Sequence, residues 1–294
     1  MSRTAASAEH AAAPAASPGL PLVVESFGLT DRGRVRTQNQ DQFLIAELAR
    51  AMRVQQSSLG QPSTHYGDER GYLFVVADGV GGTDGGERAS ALAVGTIEEF
   101  ALNTLRWFLQ QDGGGHQVLS EFQAALKQAD ARILDQAAHH PELRGMGTTV
   151  TLAYFFRSAL FVIHVGDSRA YLLRAGTLYR LTEDHTLVGE LVRRGQLDPV
   201  KAARHQLRHV ITNVVGGNEQ GLRVEMHKLG IEPGDLMLLC SDGLTETVPD
   251  DRVAQLLAQH REPRVACKRL VAEANQHGGP DNITVITAVF HAPS

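Results

Sequence analysis

Five aspartates in this 294-residue chain each stand at a predicted strand end or beside a glycine. They occur in Asn39-Gln40-Asp41, Val76-Ala77-Asp78-Gly79, Val165-Gly166-Asp167-Ser168-Arg169, Ser241-Asp242-Gly243 and Pro280-Asp281-Asn282. A strand that runs into Asp-Gly leaves a carboxylate at the sheet edge, on a backbone free to bend sharply and expose a carbonyl. If several such edges converge, they form an all-oxygen pocket suited to hard divalent cations such as Mg²⁺ or Mn²⁺.

Electrostatics sharpens that expectation. Two like charges about 4 Å apart repel by roughly 4 kcal/mol at an effective dielectric near 20. Four or five carboxylates in one pocket must therefore take up protons or bind cations. Two divalent ions would neutralise them, lower the pKa of a shared water and clamp the attacking and leaving oxygens of a phosphoryl transfer. One Asp-Gly alone is usually just a turn. The informative feature is the recurrence of aspartate next to strongly apolar strand segments.

Those segments have a readable order. Residues 22–30, 43–47 and 71–77 read as strands, with the polar stretch 50–70 as a long hairpin loop or insertion. Residues 87–110 carry Ala91, Val94, Ile97, Phe100, Ala101, Leu105 and Phe108 at helical spacing, and a second helix spans 117–138. Strands are expected at 148–156, 159–165, 170–174 and 177–181, joined by turns too short for parallel crossovers. Residues 183–215 are polar and helical in pattern, with Leu187, Leu191 and Val192 as their apolar face. Strands at 222–229, 235–240 and 282–290 and helices at 250–260 and 264–276 complete the chain. Helices and strands come in blocks, which predicts an α+β layered sandwich and not a Rossmann sheet.

Composition narrows the function classes. A net charge of -5 disfavours a nucleic-acid partner, which calls for a basic face. The apolar runs are too short to cross a bilayer. The two cysteines, Cys240 and Cys267, have no zinc-like or CxxC spacing, which favours a reducing, cytoplasmic setting. Residues 1–21, rich in Ala, Ser and Pro, read as a disordered tail and not as a signal peptide. A cysteine-based phosphatase needs His before the nucleophile and Arg six positions beyond it. Here those positions are Leu239 and Glu246 for Cys240, and Ala266 and Glu273 for Cys267. The glycine run from Gly79 to Asp84 fails as a dinucleotide motif, because Asp84 takes the sixth position and Asp78 would repel a pyrophosphate.

The motifs, taken in order, resemble the metal-dependent PPM or PP2C-type serine/threonine phosphatase family, especially its compact bacterial members. The resemblance rests on the 33–41 block ending Asn39-Gln40-Asp41, on Val75 to Gly82, on Gly145-Met146-Gly147-Thr148-Thr149 and on Val165 to Ala170. It continues through Leu181 to Thr186, Cys240 to Leu244 and Gly279 to Thr284, and so covers nearly all of residues 22–294. It implies a four-layer α-β-β-α sandwich of two mainly antiparallel sheets flanked by helices, with residues 183–215 as a helical flap near the active site. It also implies that Asp78 bridges two catalytic Mn²⁺ or Mg²⁺ ions, with the Gly79 carbonyl on one. Asp242 and Asp281 would complete the other, and Asp41 would act near the pair, largely through bound water. Asp167 with Asp242 would hold a third, weaker ion, and Arg36 would grip the phosphate, so Arg36, Asp41 and Asp78 are the expected catalytic residues. Asn282 is expected to fix the Asp281 turn, and His185 to serve as a helix-entry hydrogen bonder.

Two departures from the family pattern stand out. Val80 occupies the place of a histidine proposed as general acid in animal members, and Gln40 stands where many members have glutamate. The expected activity is hydrolysis of phosphoserine and phosphothreonine in proteins, by a monomer opposing a serine/threonine protein kinase. The competing reading is a pseudophosphatase that binds phosphoproteins as a regulatory module. The full set of metal-binding aspartates argues against it.

Overall fold

The first and last of the expected strands pair with each other. In a computed structural model describing residues 22–54, 56, 64–82, 84–103, 115–202, 205–217 and 221–293, β1 (Val23–Asp31) lies antiparallel to β12 (Ile283–His291). The first sheet runs β1-β12-β11-β8-β9, with β8 at Arg169–Arg174, β9 at Thr177–Arg180 and β11 at Leu236–Cys240. The second runs β10-β7-β6-β3-β2, built from β2 (Gln42–Arg53), β3 (Thr64–Ala77), β6 (Val150–Phe156), β7 (Ala159–Val165) and β10 (Glu225–Gly230). A two-stranded ribbon joins β4 (Gly79–Val80) to β5 (Gly147–Thr148). All these pairings are antiparallel. Short turns make the β6–β7 and β8–β9 hairpins, but the strands expected at 148–181 are not one meander, because the turn at 166–168 passes the chain from the second sheet to the first.

Three apolar layers stack these elements. Between the sheets, Phe74, Val76 and Ala153 meet Met237, Leu239 and Ile286. Outside the second sheet lie α1 (Gly85–Asn103) and α2 (Gly115–His139), which bury Ala93, Ile97, Phe122, Leu126 and Ile133. Outside the first sheet, α6 (Asp250–Gln259) and α7 (Pro263–Gln276) bury Leu257, Ala266, Leu270 and Ala274. The result is the α-β-β-α sandwich that the motifs imply. The tail expected at residues 1–21 lies outside the described residues. Among those described, no helix is long and apolar enough to cross a membrane.

Three further expectations need correction. The stretch 50–70 is not simply loop: β2 and β3 continue as paired arms from Ala51 opposite Tyr66 to Arg53 opposite Thr64, past a bulge between Ala49 and Ala51. Cross-strand backbone pairing satisfies these arms without the apolar alternation that a core-facing strand shows. On α1 the buried face is Ala89, Ala93, Ile97 and Phe100, while Ala91 is exposed; small alanines let the helix approach the sheet closely. Leu105 and Phe108 lie outside the described residues. Finally, among the described residues 183–215 is helical only over α3 (Leu187–Arg193) and α4 (Pro199–Ala202), and Val188 is the buried residue of α3. Elsewhere it is tied by isolated bridges, Thr186 with Ile211 and Val215 with Thr148.

Candidate metal centre

Topology brings the aspartates together. Gln42 pairs with Ala77, so Asp41 before β2 and Asp78 after β3 stand at the same end of the second sheet. Cys240 pairs with Val285, which puts Asp242 after β11 and Asp281 before β12 at one end of the first sheet. Asp167 lies in the connection from β7 to β8, where the chain crosses between sheets. Glycine allows the final approach. A Cβ on Gly243 would sit 1.9 Å from the Asn282 carbonyl oxygen, and one on Gly79 would sit 2.2 Å from that of Gly86. Residues with side chains could not close these gaps.

The cluster is electrostatically crowded. Burial, and then repulsion from Asp41, Asp242, Asp167 and Asp281, pushes the Asp78 carboxyl well above the ordinary range. Burial lifts Asp41 to about 7 against hydrogen bonds from Thr284 and Ser241, with Asp242 and Asp281 adding repulsion. Asp242 is also raised to about 7, by burial first and then by Glu246 and Asp281, and its carboxyl is close enough to that of Asp78 to share a hydrogen bond. Asp167 is raised by burial and by Asp242. Buried oxygens normally have partners. Here Asp41 Oδ1, Asp167 Oδ1 and Asp242 Oδ1 have none. Crowded carboxylates with orphaned oxygens fit hard divalent cations, which accept oxygen donors and neutralise the charge.

Around them the backbone is fixed by neutral groups. Ser241 donates to Asp41 Oδ2 at 2.7 Å while accepting from the Thr284 amide at 2.9 Å. The Asp78 amide donates to Thr149 Oγ1 at 3.0 Å, and its carbonyl accepts from the Thr149 amide and from Thr148 Oγ1, both at 2.8 Å. Thr149 Oγ1 also meets Ser168 Oγ at 2.8 Å, so one hydroxyl connects the Asp78 and Asp167 turns. Asn282 donates to the carbonyls of Arg32 and Gln38, each at 2.9 Å, and its own amide donates to Asp281 Oδ1 at 2.8 Å. It therefore fixes the Asp281 turn and also the loop bearing Arg36. Arg36 Nη2 lies 2.5 Å from Asp281 Oδ2, at a cleft of about 730 Å³ that Gln40, Asp78, Val80, His209, Asp242 and Glu246 also line.

The Gly166-Asp167-Ser168 turn has a second support behind it. His185 Nδ1 accepts from the Gly166 amide at 3.1 Å and from Asn213 Nδ2 at 2.9 Å, while its Nε2 faces Glu225 Oε2 at 3.5 Å. His164 sits between Thr151 Oγ1 at 2.9 Å and the carbonyl oxygens of Gly166 and Glu183 at 3.0 and 3.1 Å. His185 is buried directly before Thr186, the N-cap of α3, whose hydroxyl accepts from the Gly189 amide at 3.1 Å. It is the helix-entry hydrogen bonder that its position suggests.

This architecture has known counterparts. The sequence profile of the protein phosphatase 2C family matches residues 51–273. The chain belongs to the protein phosphatase 2C family. It is 34% identical over 267 residues to the serine/threonine protein phosphatase PstP of Mycobacterium tuberculosis, covering 91% of this chain but only 45% of PstP. It is 32% identical over 257 residues to the serine/threonine phosphatase stp of Listeria welshimeri, covering 87% of this chain and 92% of that protein. The crystal structure of PstP superposes with a TM-score of 0.74 at 32% identity, over 92% of this chain and all of the solved one. The PstP catalytic domain has also been solved in complex with two manganese ions, and it matches with a TM-score of 0.72 at 31% identity over the same share of this chain.

Within this protein phosphatase 2C cleft, sequence reasoning misses three groups. Glu246 lies one helical turn beyond Asp242, and that i, i+4 spacing was the available signal. His209 reaches Glu246 from the 183–215 segment, an encounter that no local motif encodes. Thr149 was visible within a family block, but its bonding role emerges only in three dimensions.

Proposed function

We propose that this chain hydrolyses phosphoserine and phosphothreonine in proteins, in a metal-dependent reaction. The observation that carries the reading is the meeting of five sequence-remote aspartates around buried carboxylate oxygens that accept no hydrogen bond from the protein. In this reading residues 22–294 are one phosphatase domain and 183–215 its flap. Asp78, the Gly79 carbonyl, Asp242 and Asp281 would hold two catalytic Mn²⁺ or Mg²⁺ ions, and Asp41 would act beside them mainly through bound water. Asp167 with Asp242 would hold a third, weaker ion. When bound, the ions supply charge neutralisation and Lewis-acid activation of water and of the phosphoryl oxygens.

The residues of the chain orient and exclude. Arg36, with its side chain 55% exposed, presents guanidinium N–H groups at the cleft, and its planar fork matches two phosphate oxygens at once. Asp281 and the Asn282-pinned loop hold that guanidinium beside the aspartates. Val80 can give no proton to the leaving serine or threonine oxygen, so in this reading the proton comes from water in the cleft. Neither cysteine is a candidate nucleophile: both are buried, and burial pushes the Cys240 thiol up to about 12 and the Cys267 thiol to about 11. In this reading water attacks phosphorus directly and no phosphoenzyme forms.

Phosphoserine and phosphothreonine in proteins are made by serine/threonine protein kinases, so the reading sets this chain against one. Two buried free thiols fit a reducing, cytoplasmic compartment, and a cleft built from one chain fits a monomer. The test is turnover of a phosphothreonine peptide. Hydrolysis should require Mn²⁺ or Mg²⁺, stop in EDTA and return when the ion is restored. No turnover with any divalent ion would overturn the reading in favour of a phosphoprotein-binding module.

A further inference from the structure

We propose that the flap lends a nitrogen ligand to this cation cluster: His209, with Asp242 and Glu246, forms a mixed imidazole–carboxylate site that takes Mn²⁺ in preference to Mg²⁺. The proposal rests on the metal-dependent reading above and extends it to the choice of ion. One ligand atom from each of the three residues lies within 4.8 Å of the others. Ligands on opposite sides of an ion bound at about 2.1 Å stand about 4.2 Å apart, so a small side-chain adjustment encloses one.

The three groups reach the site from two directions. Asp242 opens the short helix α5 (Asp242–Thr245) and Glu246 is its C-cap, with the Glu246 amide bonded to the Asp242 carbonyl at 2.8 Å. Four-residue spacing puts both carboxylates on one face. His209 descends from the flap, and its Nδ1 meets Glu246 Oε1. The residues after it are tied back to the flap's entry, because the Leu187 amide donates to the Val210 carbonyl and the Thr212 amide to the His185 carbonyl, each at 2.8 Å. A second feature points to a ligand. Asp242 Oδ1 is buried without a partner, and Asp242, His209 and Glu246 together line both the 730 Å³ cleft and an adjoining one of about 760 Å³. Contrast the other histidine–carboxylate group, His164, His185 and Glu225, where protein donors and acceptors already engage every ring nitrogen.

Chemistry then sets the preference. Mg²⁺ demands oxygen donors and sheds water reluctantly, whereas transition ions accept imidazole. Since the nitrogen donor belongs to the flap, an ion bound here also fixes the flap against the cleft. Arg208, exposed beside His209, offers trypsin a site whose protection reports that coupling.

The experiment uses the full chain with Mn²⁺ or Mg²⁺ alone. Pulsed EPR of bound Mn²⁺ should show coupling to an imidazole nitrogen, and His209→Ala should lose it. Mn²⁺ affinity at that site should fall by about tenfold or more, the loss caused by removing even a supporting partner of a ligand, with Mg²⁺ affinity unchanged. Mn²⁺ should protect Arg208 from trypsin in the wild type and not in the variant. His209 is exposed, so the melting temperature of the variant in EDTA serves as the check on folding. Identical nitrogen coupling in both proteins, or an equal fall for both ions, overturns the proposal while leaving metal-dependent hydrolysis intact. Nitrogen coupling lost in His209→Ala from a protein that hydrolyses nothing would support the site and overturn the hydrolytic reading instead.

Discussion

Two groups of buried polar side chains flank the Gly166-Asp167-Ser168 turn, and their hydrogen bonding is completed to different degrees. Behind the turn, His164, His185, Asn213, Thr151 and Glu225 find partners within the protein. Burial alone would raise Glu225, but hydrogen bonds from His185 and His227 hold its carboxyl well below the usual range. In front of the turn the carboxyls of Asp41, Asp78, Asp167 and Asp242 are all raised, and three of these residues keep an orphaned oxygen. A cluster satisfied from within is a clamp. One left unsatisfied at the end of a rigid sandwich is a receptor for something not supplied by the chain.

The largest effect should come from removing a ligand on the unsatisfied side. Asp242→Ala is expected to lower Mn²⁺-dependent turnover at least about a thousandfold, because a metal site loses a shared ligand; near-wild-type rates would contradict the assignment. Asp242→Asn keeps the shape and removes a charge, so in EDTA it should raise the melting temperature while still abolishing turnover. Breaking the clamp should do the reverse. His185→Ala strands the Gly166 amide, the Asn213 amide and Glu225, a loss of about 3 kcal/mol in denaturant unfolding that added Mn²⁺ does not erase. If that variant unfolds like the wild type, the clamp is ornamental.

A pH series separates the two groups by sign. Carboxyls that hold protons to about 7 when folded, as Asp41 and Asp242 do, release them near the ordinary carboxylate value of about 4 when unfolded. Between those values the folded state binds more protons, so stability without ions falls as pH rises from about 4 to about 7. His164 runs the other way. Burial, and then His185, lowers it to about 4, so it costs stability as pH falls below about 6.5. Four raised carboxyls outnumber one histidine. Melting temperature in EDTA should therefore decline from about pH 5 to about pH 8, and saturating Mn²⁺ should remove the decline. A rise over that window in EDTA would refute the crowding. The smallest effect is expected at the hydroxyl joining the two turns. Thr149→Val should cost about 1–2 kcal/mol and weaken Mn²⁺ binding measured by calorimetry, whereas a purely local role would leave the ion affinity unchanged.

The aspartates were legible because each sits in a local context that survives folding, Asp78, Asp167 and Asp242 just after an apolar strand and Asp41 and Asp281 just before one. Turn lengths gave the pairing of β6 with β7 and of β8 with β9, but not the sheet orders, because the short 166–168 turn carries the chain from one sheet to the other. What could not be read depends on distance. Glu246 was legible only as the residue standing where a cysteine phosphatase needs its arginine; its neighbour His209 is 37 positions away and meets it only once the 183–215 segment packs. The arms of β2 and β3 were missed because the polar stretch 50–70 carries no apolar alternation, and backbone pairing needs none. On α1 the ambiguity lay among the alanines: Ala89 and Ala93 face the sheet and Ala91 does not, a choice that small apolar side chains do not encode.

Each sheet contributes two of the five aspartates, and the fifth rides on the connection between them. The gap between the two acidic edges is thus set by the apolar layer separating the sheets, where Phe74 and Val76 oppose Met237, Leu239 and Ile286. Interior side chains remote from solvent act as the caliper of the reaction centre. A methyl group gained or lost there would be felt at the cations before it was felt anywhere on the surface.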